Sequence, residues 1–258
     1  MKKATKNNII RGLKVALIFV FAVLFIAVLV TARINASKIV CSEIQVNVKN
    51  KEELKFLSDR EILDFINNYG QDIVINQKLK DVSKSDIEKR IEQSDYVAKA
   101  DVFTNFEGNM RVDVTQKKPI YRVFNNKGVS YYVSEKGESI PFSTKFTPRL
   151  IVATGNLSNQ DTPENLKVHE DLLQIVDFIN ASPFWEAMIG QIEVAKNGDF
   201  LLYPKIDEHR VIIGNIDNLE EKFKYLQIFY KEAIKNIDWK KYKEINLKFK
   251  GQIICTKK

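Results

Sequence analysis

The spacing of apolar residues changes character along the chain, and the first change is the sharpest. Every residue from Val15 to Val30 is apolar, sixteen in a row, so a helix there has no polar face to turn toward water. Extended to Leu13 and Ala32 the segment holds 20 residues, which at about 1.5 Å per residue matches the roughly 30 Å hydrocarbon core of a bilayer. Lys14 can snorkel to the interface. The pattern predicts a transmembrane helix over residues 13–32. The alternative is a cleaved signal peptide with Ile34, Asn35 and Ala36 as its processing site, although the run is longer than the usual apolar core of about 7–15 residues.

After Arg33 the pattern becomes that of a folded α+β protein. Ile39, Cys41, Ile44, Val46 and Val48 read as an extended strand, strictly alternating from Ile44. Ser58 and Glu61 form a capping box that opens a helix with Ile62, Phe65, Ile66 and Tyr69 on one stripe and Gly70 as its stop. Ser85 and Glu88 read as a second box, ahead of Ile87 and Ile91. Two strands follow, one through Val97, Ala100 and Val102 and one through Met110, Val112 and Val114, joined at Glu107, Gly108 and Asn109. The order is strand, helix, helix, strand, strand.

Beyond Pro119, a natural edge or boundary, short strands dominate: Ile120 to Phe124, Ser130 to Ser134 and Leu150 to Thr154. A helix over Leu166 to Asn180 carries Leu172, Ile175, Val176 and Ile179 on its stripe, and Ser182 with Pro183 caps a short turn. Three more strands (Gln191–Ala195, Phe200–Tyr203, Arg210–Ile213) lead to a long helix that Asp217 and Glu220 start and that runs through Phe223, Leu226, Tyr230 and Ile237. A terminal hairpin over Glu244 to Thr256 closes the chain. The predicted domains are a tail (1–12), the span (13–32), a βααββ domain (38–117) and a mixed β domain with two packed helices (118–258).

Charge bears on topology and on partners. Of 40 basic residues, Lys2, Lys3, Lys6, Arg11 and Lys14 precede any acidic one, so the positive-inside rule places the short tail in the cytoplasm and the remainder across the membrane. That remainder is near neutral, with 35 basic against 33 acidic residues. Its lysines are interspersed with acids, which argues against a nucleic-acid face. Cys41 and Cys255 are the only cysteines, too few for a disulfide scaffold. Two buried thiols are the default, and a bridge between them would tie the first predicted strand to the last.

Catalytic chemistry is thinly represented. His169 beside Glu170 and Asp171, and His209 near Asp207 and Glu208, read as surface histidines, because neither lies in a zinc-ligand spacing. Asp207, Glu208 and Asp217 fit turn and cap roles better than a cation site. No nucleophile elbow or phosphate-binding glycine loop occurs. Neither a catalytic residue nor a metal or cofactor site is assigned. The terminal hairpin, by contrast, offers a sheet edge to which a partner peptide can add as another strand.

A basic tail, one span and a βααββ module directly after it resemble the bacterial division family FtsQ/DivIB, whose membrane-proximal module is a POTRA domain. Phe56 to Ile62 resembles the start of that family's first POTRA helix. Ile87 to Ile91 followed by Asp95 to Val102 resembles its helix and "PYV" stretch, with Asp95 in place of Pro. Val112 to Ile120 resembles the strand that ends in a basic residue, here Lys117, and Pro. Tyr131 to Pro141 resembles the "YLVDxxGxxLP" turn, Pro148 to Gly155 the strand running into "TG", and Trp239 to Phe249 the "IDLRY" segment, with Asn246, Lys248 and Phe249 as substitutions. The resemblance implies a non-enzymatic divisome scaffold, single-pass in the bacterial inner membrane and at midcell during division, that links early division components to septal peptidoglycan synthesis. It implies FtsB-like and FtsL-like partners, the former docked by strand addition near Ile245, Leu247, Phe249, Ile253 and Cys255, and further divisome components met through the POTRA module. The competing readings are a membrane-tethered POTRA protein of envelope assembly and a cell-wall hydrolase or transferase.

Overall fold

The computed structural model describes residues 17–31, 33–34, 37–125, 127–157, 163–206, 208–233 and 241–258. The predicted tail (1–12), both ends of the predicted span (13–16 and 32), Asp207, Ile237 and Trp239 lie outside them. Helix α1 covers residues 17–31, about 22 Å at 1.5 Å per residue, and its side chains are exposed throughout, Phe19 by 70 % and Phe25 by 65 %. Among the described residues no helix is long and apolar enough to cross a membrane. The chain divides into two compact units, Met1–Lys49 with Leu57–Thr115, and Asn50–Phe56 with Gln116–Lys258.

The first unit is a three-stranded sheet with two helices. Strand β1 (Glu43–Lys49) runs parallel to β3 (Asn109–Gln116), in register Val46↔Val112, and β2 (Val97–Thr104) lies on the other side of β3. Alternation fixes the buried face: Met110, Val112 and Val114 are fully buried against Ile62 and Ile66 of α2 (Asp59–Ile66) and Ile87 and Ile91 of α3 (Lys84–Glu92). The capping box at Ser58 and Glu61 forms with both of its hydrogen bonds.

Two local expectations are corrected. Helix α2 stops at Ile66, and Tyr69, in a left-handed conformation (φ 53°), leaves the stripe and is 74 % exposed. The cap of α3 is Ser83 rather than Ser85, with Ser83 Oγ accepting from the Asp86 amide at 3.4 Å. Glu88 is thereby released for another task. Its carboxylate accepts the Val102 amide at 2.8 Å, and that of Glu92 accepts the Ala100 amide at 3.0 Å. Strand β2 is an edge of the sheet, and α3 satisfies two of the amides that such an edge would otherwise present.

The second unit is a nine-stranded mixed sheet ordered β12-β11-β10-β9-β8-β7-β4-β5-β6. Its strands are β4 (Pro119–Asn125), β5 (Ser130–Ser134), β6 (Ser139–Pro141), β7 (Ile151–Gly155), β8 (Ile189–Val194), β9 (Phe200–Pro204), β10 (Arg210–Gly214), β11 (Tyr242–Asn246) and β12 (Ile254–Lys257). The helices are α4 (Pro163–Asn180), α5 (Pro183–Met188) and α6 (Leu219–Ile228), the last continuing into a π-type turn over Phe229–Ala233. One helix more is packed than expected, because the Ser182–Pro183 turn opens α5 and carries Trp185 into the core. Strand β6 was missed, having only Ile140 buried.

Alternate residues of the strands face these helices: Tyr121 and Val123, Ile192 and Val194, Val211 and Ile213 pack with Leu172, Ile175, Val176 and Ile179 of α4 and Phe223 and Leu226 of α6. Gly155 ends β7 at φ +92°, and a Cβ there would lie 2.2 Å from the Val194 carbonyl oxygen, so no other residue fits without moving β8. Helix α6 is capped by Asn218 in a left-handed conformation, which corrects the assignment of its start to Asp217. Phe56, on the segment assigned to this unit, packs against Tyr132 and Phe146 at ring separations of 5.9 and 5.2 Å, and Gln116 Nε2 donates to the Leu54 carbonyl at 2.7 Å.

Candidate partner-binding edge

The terminal hairpin occupies one end of the nine-stranded sheet. Strand β11 pairs in parallel with β10, in register Val211↔Ile245, and β12 returns antiparallel, in register Ile245↔Cys255 and Asn246↔Ile254. The Leu247 amide continues the β10 pairing by donating to the Ile212 carbonyl at 2.8 Å. No strand among the described residues pairs with the far side of β12.

Alternation sorts the five predicted contact residues. Ile245 and Leu247 are 2 % and 4 % exposed and belong to the core. Ile253 and Cys255 are half-buried against that core, and Phe249, in the connecting loop, is 52 % exposed. Ile254, on the opposite face, is 45 % exposed and was not among the expected contacts; its place in the two-residue period, one step from half-buried Cys255, is the signal that marks it. Ile245 and Leu247 thus secure the hairpin from within, while Phe249, Ile254 and the β12 backbone form its accessible side.

The loop is held as well. Lys248 Nζ pairs with Asp199 at 2.7 Å, and this hydrogen bond keeps the Asp199 carboxyl below its ordinary value of 3.8. On the outer face Arg210 forms a cross-strand pair with Glu244 at 2.8 Å. Burial pushes the Cys255 thiol up, so it stays protonated and weakly nucleophilic at neutral pH. Both cysteines are free thiols. A groove of about 220 Å³ between the start of α6 and the loop is lined by Asp217, Lys222, Tyr225, Leu247, Lys248 and Phe249 among others.

Comparison with known families matches residues 39–115 to the POTRA-like domain. Residues 118–256, more than half of the chain, match the family described as FtsQ/DivIB, C-terminal related. The chain belongs to the FtsQ/DivIB family. No curated protein matches it significantly. Family membership makes it a cell-division protein of a group that generally acts as non-enzymatic scaffolds.

In this FtsQ/DivIB chain both histidines hydrogen-bond to tyrosine hydroxyls of the second unit. The histidines are not surface residues, contrary to their reading from sequence. His209 is 3 % exposed, with Nε2 2.8 Å from the Tyr230 hydroxyl. His169 is half-buried, with Nδ1 2.8 Å from the Tyr121 hydroxyl and Nε2 3.4 Å from that of Tyr131. All three buried tyrosine hydroxyls thereby gain the partner that desolvation demands. Among the described residues, no three His, Cys, Asp or Glu side chains converge as metal ligands. A broad cleft of about 1120 Å³ interleaves Lys118, Arg149 and Lys205 with Glu135, Asp177 and Glu186, and its lining holds no serine, cysteine or histidine.

Proposed function

We propose that this FtsQ/DivIB-family chain is a divisome scaffold that binds FtsB-like and FtsL-like single-span partners, the former by strand addition along β12, and so links early division components to septal peptidoglycan synthesis. The observation that carries the binding site is the outer side of β12, a short strand at the end of a large sheet with which no strand among the described residues pairs, flanked by exposed Ile254 and Phe249. Such an edge supplies backbone affinity through its amides and carbonyls and specificity through alternate side chains.

In this reading residues 13–32 anchor the protein in the cytoplasmic membrane, with the tail 1–12 cytoplasmic. The POTRA-like domain (38–117) and the β domain (118–258) lie outside it, the POTRA module meeting other divisome components. The exposure of every large apolar side chain of α1 supports the anchor. So does Thr31, whose hydroxyl donates to the Ala27 carbonyl at 2.9 Å and carries no unsatisfied polar group toward lipid.

Two experiments test the proposal. A fluorescent fusion is expected at midcell in dividing cells, and uniform envelope fluorescence would contradict it. Consecutive amides of an antiparallel edge strand point alternately inward and outward, so of Ile254→Pro and Cys255→Pro one removes only an outward donor. That variant is expected to lose binding of an FtsB-type partner while keeping native stability; unchanged binding in both variants would refute strand addition at β12.

A further inference from the structure

Outside α1, Phe106 is the most exposed large apolar side chain among the described residues, at 86 %. It stands on the turn between β2 and β3, and Asn105 organises that turn. The Asn105 side-chain oxygen accepts the amides of Glu107 and Asn109 at 3.0 and 2.9 Å, and its carbonyl accepts the Gly108 amide at 3.4 Å. The amides following Phe106 are therefore already partnered, which lowers the cost of taking the tip out of water.

The same turn is fastened to the segment that leaves α1. The Ser42 amide donates to the Gly108 carbonyl at 2.8 Å, and Ser42 Oγ lies 3.2 Å from Asn109 Oδ1. The approach is so close that a Cβ on Gly108, which has φ +93°, would sit 2.5 Å from the Val40 carbonyl oxygen. Upstream, the Ser37 amide bonds to the Arg33 carbonyl at 3.1 Å, and only the five residues after Ser37 lead from there to the tip's attachment at Ser42. Five residues reach at most about 18 Å. Val40 (41 % exposed), Ile34 (49 %) and Phe103 (54 %) add apolar surface along this stretch and on the strand leading to the tip. Lys38, Lys78 and Lys80 are exposed in the same region, Lys78 bridging to Val40, and Glu107 is the acid on the turn.

We propose that Phe106 is a membrane-interface wedge: the β2–β3 tip of the POTRA-like domain inserts into the headgroup region of the bilayer that α1 crosses. The inference rests on reading α1 as the membrane anchor. The tether length confines the tip to the neighbourhood of the interface, the satisfied turn lets it desolvate, and exposed lysines nearby suit a lipid surface.

The test uses the full chain reconstituted into phosphatidylcholine–phosphatidylglycerol vesicles containing lipids brominated either near the headgroup or deep in the acyl chain. Tryptophan is introduced separately as Phe106→Trp, as Phe21→Trp in α1, and as Gln93→Trp, at the end of α3 that precedes β2, the strand of eight residues, about 26 Å, that leads to the tip; the native emission is subtracted. The expected result is deep quenching of Phe21→Trp, a blue shift and shallow quenching of Phe106→Trp, and solvent-like emission from Gln93→Trp. If Phe21→Trp is quenched and Phe106→Trp remains solvated, or if Gln93→Trp is quenched equally, the wedge is overturned and the anchor stands. If Phe21→Trp is not quenched, the anchor fails and the wedge with it.

Discussion

Ile245 separates what holds the terminal hairpin from what the hairpin presents. It is 2 % exposed and packs in the core with Val211 and Leu226. Ile245→Ala removes three buried carbons, worth roughly 2.4 kcal/mol at about 0.8 kcal/mol each. The residual cavity adds to this, so a loss of about 3 kcal/mol is expected, within the range of about 2–5 kcal/mol for such truncations. Ile254→Ala, at a site 45 % exposed, is expected to cost under about 1 kcal/mol.

The assay is urea unfolding followed by tryptophan fluorescence. Trp185 is the reporter, since its ring lies 4.9 Å from Phe223 and 6.2 Å from Tyr230 in the same core. With a slope of about 2 kcal/mol per molar urea, the midpoint of Ile245→Ala falls by about 1.5 M, and that of Ile254→Ala barely moves. Equal losses in the two variants, or a loss under about 1 kcal/mol for Ile245→Ala, would refute the assignment of Ile245 to the core and Ile254 to the surface.

Burial raises the Tyr121 and Tyr230 hydroxyls well above their ordinary value of 10.0. The folded state therefore keeps protons that the unfolded state releases: their contribution is whole below about pH 10 and declines above it, by about 1.4 kcal/mol per pH unit for each tyrosine. Denaturant titrations on either side of that pH are expected to show the decline, and Tyr230→Phe to flatten it by one such increment; an unchanged slope would place Tyr230 in water. In the first unit, Glu88→Ala or Glu92→Ala leaves the amide of a buried residue unpartnered, at a cost of about 1–3 kcal/mol each. The double variant opens the β2 edge and is expected to self-associate in sedimentation, which strictly monomeric behaviour would contradict.

Legibility from sequence followed how local the deciding interaction was. Alternation in β3 and the helical stripe of α4 survive folding because one face of each element is buried along its length. The Ser58 box was readable because its two hydrogen bonds join residues three apart. The Ser85 reading failed because Glu88 is claimed by Val102, fourteen positions away, and the histidines were misread because their tyrosine partners lie 21 to 48 positions distant. At the hairpin, the apolar pattern drew attention to Ile245 and Leu247, but it marks burial: the pattern that finds a strand selects its core side, and exposed Ile254 emerges only with the register. Helix α1 is legible by composition alone, since a continuous apolar run requires no knowledge of its neighbours.

The most direct test of the scaffold account is hydrogen exchange on the full-length chain in a bilayer, with and without an FtsB-type partner. Strand addition predicts slowed exchange at amides of β12, within Ile254–Lys257, with α2 and α3 unchanged. Protection confined to the POTRA-like domain, with β12 exchanging as in the free chain, would contradict it.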